Sequence, residues 1–179
     1  MSIETTQEKP AYLAHADGTM VLNSAGLEAD ARYRAARADR DRLDRSWAGA
    51  VLAGLFLQHA WLDAITLTLE ASPEYDDSGG FYRSTRCQAS APRAVPGQPL
   101  PEETFPEGAF DPDAATSLIE EELEEGMFDL YAGLAQYPED YSDLTVSLER
   151  SAIAALLQHS PVDGSLACIA WGWPVSPPA

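Results

Sequence analysis

The pattern Leu-Gln-His, three spacers, Asp occurs twice in this chain, as "FLQHAWLDA" at 56–64 and "LLQHSPVDG" at 156–164. His59 and His159 are two of its three histidines, and an imidazole near a carboxylate can bind a metal ion or move a proton. If the copies met, His59, Asp63, His159 and Asp163 would form a two-histidine, two-aspartate centre fit for metal-assisted hydrolysis or a split acid/base pair. Their flanks favour a structural origin. Each copy follows a helical pattern, whose carbonyl end attracts a last-turn histidine, and each Asp falls where a turn leads onward, Asp163-Gly164 being a common turn pair. No His-Glu-x-x-His or other recognised metal spacing is present. The expectation is two similar helix-to-strand corners, with no metal, no cofactor and no catalytic residue; a hydrolase built on the four named residues is the alternative.

Other chemistries find less support. The chain has no G-x-S-x-G nucleophile elbow, no phosphate-binding glycine loop and no CxxC pair. Cys87 and Cys168 lie far apart and are expected to be reduced and buried. Tyr82, Arg83 and Arg86 could grip an anion, but such strand residues are ordinary surface.

The elements that would position these residues can be read in order. Asp17-Gly18, between two short apolar stretches, predicts a hairpin over 11–23, and Asn23 or Ser24 can cap a helix after it. Residues 27–45 are rich in helix formers and carry six of the ten arginines, interleaved with acids, as a charge-laced solvated face would. Residues 46–60 are apolar nearly all round, a buried helix that continues the first or restarts after Gly49. Alternation over 64–71 and again over 81–90 predicts an antiparallel strand pair with a long loop. Six prolines and two glycines between Ala91 and Pro112 predict an irregular crossing or lid.

Asp111-Pro112-Asp113 is a strong helix start. Ile119, Leu123, Met127, Leu130 and Leu134 then share one face, so the helix is expected to run to about Gln136. Leu144, Val146 and Leu148 alternate like a strand, whereas Ala152, Ala155 and Leu156 step like a helix; helix is favoured from about Ser151. "SLACIAWGW" at 165–173 is predicted as a last buried strand, with a frayed tail over 174–179. Together these make a single α+β domain with an antiparallel sheet of three or more strands and helices packed on it.

Length and composition agree with one globular, soluble domain, at 179 residues and 45% hydrophobic. The polar start lacks a secretory signal, which predicts a cytoplasmic protein. With 29 acids against 11 bases the net charge is -18, which disfavours nucleic acid and anionic membrane as partners and favours a basic one. Fourteen of the acids, and none of the bases, lie between Pro101 and Asp143. A salt-adapted surface would be acidic throughout, so the asymmetry predicts a directed field. Opposite the apolar face of the 112–136 helix stand Glu121, Glu125 and Phe128, flanked by Glu124, with Asp129, Glu139 and Asp140 beyond. An aromatic anchor ringed by carboxylates suits docking onto a basic protein. In size, solubility and concentrated acidity the chain resembles the bacterial immunity proteins that neutralise cationic toxins, a resemblance of type that carries over no residue. The predicted role is thus a non-enzymatic inhibitor of a basic protein partner such as a toxin. A subunit that self-associates through its terminal "WGWPV" is a further possibility.

Overall fold

The computed structural model describes residues 8–106, 108–125, 130–135 and 141–173. They fall into two compact units, 8–41 and 42–173.

In the first unit, β1 (Tyr12–Ala14) and β2 (Met20–Leu22) form the expected hairpin, with Leu13 opposite Val21. Its turn closes where Gly18 takes φ 84°, a conformation that suits glycine. The Asp17 carboxylate accepts from the backbone N–H and the hydroxyl of Thr19, which holds its pKa below the ordinary value. Asn23 caps the helix that follows: its Oδ1 accepts from Gly26 N at 2.8 Å and Ala11 N at 3.1 Å, and its Nδ2 donates to the Lys9 carbonyl at 2.9 Å.

That helix, α1 (Ser24–Gln58), is continuous through Gly49 for 35 residues. Its arginine-rich part is exposed over most of its length and includes an Arg34–Asp30 pair at 2.7 Å, an exposed contact of small energetic weight.

The second unit is built on one antiparallel sheet in the order β4-β3-β5, where β3 is Leu62–Tyr75, β4 is Phe81–Ala94 and β5 is Leu144–Glu149. The sheet has one dry face. Ile65, Leu67, Leu69, Ala89, Val146 and Leu148 are buried on it, while Arg86, Gln88, Thr145 and Ser147 on the other face are exposed. Leu52 and Phe56 from the end of α1 join the dry face, as do Ile119 and Leu123 from α2 (Pro112–Glu125), Leu130 and Tyr131 from α3 (Leu130–Leu134), and Ile153 from α4 (Arg150–Ile153). Each such side chain contributes about 1.5–3 kcal/mol of burial before entropy is charged against it.

Four local expectations are corrected. The β3–β4 loop is short, residues 76–80, because Asp76 organises it by accepting from the backbone N–H of Ser78 and Gly80. Strand β4 runs on through Pro92 to Ala94, inside the segment read as irregular. A proline is tolerated there because β4 is an edge strand and the ladder is bulged between its pairings at Ser90 and Arg93. Residues 144–149, open between strand and helix in the sequence, are strand, and the helix expected from about Ser151 breaks into α4 and a 3₁₀ turn at Leu156–Gln158.

The largest difference is at 165–173, predicted as strand, where the chain instead forms helix α5 (Gly164–Ala170). Asp163 is its cap, accepting from Ser165 N at 2.8 Å and Leu166 N at 3.3 Å. Ala167 and Cys168 face inward while Leu166 and Ile169 are exposed, which is helical rather than alternating burial. Glycines let the helices approach closely. A Cβ on Gly164 would overlap the Ser46 carbonyl and Ala50 of α1, and one on Gly49 would overlap the Gly164 carbonyl. A Cβ on Gly133 of α3 would likewise meet Asp44 and Ala48.

Candidate protein-binding surface

The two Leu-Gln-His-x-x-x-Asp copies occupy unlike corners. The first ends α1 and enters β3; the second ends the 3₁₀ turn and enters α5. Asp63 is paired with Arg93 at 3.3 Å, Asp163 is spent as a helix cap, and His159 is exposed. Among the described residues no three His, Cys, Asp or Glu side chains are arranged to hold a metal ion, so the four are not assembled into a centre.

His59 has a structural occupation. The Trp61 indole N–H donates to its Nδ1 at 3.2 Å, and its Nε2 contacts the Glu122 carboxylate. An indole N–H only donates, so Nδ1 is the acceptor and Nε2 carries the hydrogen that reaches Glu122. Both ring nitrogens are therefore used: Nδ1 holds the Trp61 indole beside the corner, and Nε2 fastens the end of α1 to α2. Arg150 completes that corner from the other side. Its Nε donates to the Leu62 carbonyl at 2.7 Å, its Nη2 to the carbonyls of Phe56 and His59, and its guanidinium lies 5.5 Å from the Phe56 ring centre. Burial lowers its pKa, and the Asp63 carboxylate works in the opposite direction.

The acids of α2 divide into two sets. Glu120 turns inward to the sheet edge, accepting from the backbone N–H of Ala89 at 2.8 Å, and Glu122 turns to His59. Asp111 caps the helix, accepting from Asp113 N at 2.9 Å and Ala114 N at 3.2 Å. Glu121 and Glu124 are exposed, while Ile119 and Leu123 beneath them are buried, as the helical projection requires. Glu125 is the last residue of α2. Phe128, Asp129, Glu139, Asp140 and the predicted tail 174–179 lie outside the described residues, as does the stretch 126–129 through which one long helix was expected.

Between α2, α3 and the β4 edge runs an open groove of about 690 Å³ whose floor includes Leu69, Leu123, Leu130 and Tyr131 and whose helical wall carries Glu120 and Glu124. The sequence did not announce this groove, because Glu120 and Ala89, which set the helix on the edge, are 31 residues apart. Cys87 borders it as a half-buried free thiol. Burial, with the Glu120 charge, pushes the Cys87 pKa up to about 11, so the group is a protonated thiol at neutral pH rather than a nucleophile. Cys168 is also free and buried; burial raises its pKa to about 11. Tyr82 donates to Glu74 at 2.9 Å, and the Arg83 guanidinium lies over the Tyr131 ring.

The fold and this surface define an α+β protein with a one-sided three-stranded antiparallel sheet and an acidic helix laid along its edge. No family model, curated protein or solved structure matches the chain. Among the described residues no helix is long and apolar enough to cross a membrane.

Proposed function

We propose that this chain is an acidic binding protein that docks on a basic protein partner and neutralises it, as immunity proteins do with cationic toxins. The observation that carries the reading is the arrangement of α2. Inward-turned Glu120 and Glu122 and the capping Asp111 anchor it, leaving Glu121 and Glu124 exposed in a segment without Lys or Arg from Pro101 to Asp143. Fixed carboxylates on an anchored helix present a preorganised field, which speeds encounter with a cation and selects against other anions.

The test uses Glu121→Arg with Glu124→Arg, a change confined to exposed positions. Wild-type protein immobilised as bait should retain a basic protein from its native host, and the double variant, folded by circular dichroism, should bind that protein about 10–100-fold more weakly. Equal affinity of the two baits in matched salt would remove the proposal.

A further inference from the structure

We infer that the groove beside β4 receives an extended segment of the basic partner as an added strand, its main chain pairing with the outward edge at Thr85 and Cys87. The inference rests on the docking role proposed above and specifies how the partner is held. In an antiparallel ladder the backbone groups of successive residues point alternately to the neighbouring strand and away from it. Ala89 sends its N–H outward, to Glu120. Two-residue alternation from Ala89 therefore turns the N–H and C=O of Cys87 and Thr85 outward as well, beside Ser84–Gln88 in the groove. Proline at position 73, opposite Arg83 in the same parity, agrees, since its missing N–H would have pointed away from β4. Glu120 closes the edge at Ala89, and among the described residues no hydrogen-bond partner meets Cys87 N or Thr85 N. The two amides stand about 7 Å apart, the repeat that a strand presents to its neighbour.

The chemistry of the occupant follows from the walls. Side chains of an added strand alternate, so one set would rest on Leu69, Leu123 and Leu130 while the strand passes the exposed Glu124 on the helical wall. Arg86, the basic residue among the described groove lining, belongs to the strand itself and stands opposite Glu70 in the ladder. A segment alternating apolar residues with Arg or Lys therefore fits, and one carrying acids does not.

The probe is the capped pentapeptide Val-Arg-Val-Arg-Val added to the full ¹⁵N-labelled chain, with amide hydrogen exchange read residue by residue. At saturation, exchange at Thr85 and Cys87 should slow by about tenfold or more. A peptide N-methylated on the amides that face the edge should lose this protection, and Val-Glu-Val-Glu-Val should give none. If the peptide binds and Glu121→Arg/Glu124→Arg weakens it, yet the two amides stay unprotected or N-methylation changes nothing, strand addition is overturned and the acidic docking face survives. Failure of both the peptide and the charge-reversal response overturns both readings. Protection that is already present without peptide and grows with protein concentration, together with a dimeric mass in sedimentation, would assign the edge to a second copy and overturn the foreign segment.

Discussion

Arg150 does at one corner what a helix end cannot do for itself. The last carbonyls of α1 have no partners within the helix, and a guanidinium that donates to Phe56, His59 and Leu62 serves one of them together with the carbonyl just past the helix and the first carbonyl of β3. Replacing it by Met keeps much of the stem that lies over Phe56 but removes all three donations, leaving the His59 carbonyl with the Leu62 N–H alone. Arg150→Met should lower unfolding stability by about 3 kcal/mol, read from urea denaturation, and Arg150→Lys should recover only part because an ammonium does not present the same fork. A loss below about 0.5 kcal/mol for Met would show that water serves those carbonyls as well. The same corner explains why His59 looked functional: the requirements of a catalytic histidine and of one joining two helices are met by the same residue type.

At the scale of elements, the hairpin at Asp17-Gly18, the Asp111 start of α2 and the alternation of β3 were legible, since each is written within a few adjacent residues. Helix α5 was not. Its nine-residue apolar context satisfies strand and buried helix alike, and what decides between them is Asp163, which reads as a turn residue in sequence but acts as a cap. Leu166 and Ile169 add to the ambiguity by standing exposed where an apolar run suggests burial. Asp163→Ala should therefore cost about 1 kcal/mol and Asp163→Asn far less, measured by thermal unfolding; equal loss from both would contradict the capping account. The extension of β4 through Pro92 was hidden for a different reason, since a residue's tolerance of proline depends on whether its strand lies at an edge, and strand order is a long-range property. In the candidate site, the outward positions of Glu121 and Glu124 followed from helical periodicity. The inward roles of Glu120 and Glu122 did not, because their partners Ala89 and His59 lie far away in the chain.

For the whole molecule, a net charge of -18 acts on folding and on the proposed binding with opposite signs. Like charges repel within the folded chain, and salt relieves that repulsion; attraction to a basic partner is screened by the same ions. Raising sodium chloride from about 0.02 to 0.3 M, a change that shortens the screening length from tens of ångströms to several, should raise the unfolding midpoint while slowing association with the partner. If both quantities moved in the same direction, the acidic segment would not be the source of the binding field. Close helix contacts at Gly49, Gly133 and Gly164 answer to neither effect, because what excludes a side chain there is backbone. In a mutational scan scored on any cellular readout, these three glycines would rank among the most sensitive positions through loss of folded protein alone. Abundance has to be scored alongside phenotype before sensitivity is used to draw the partner's footprint.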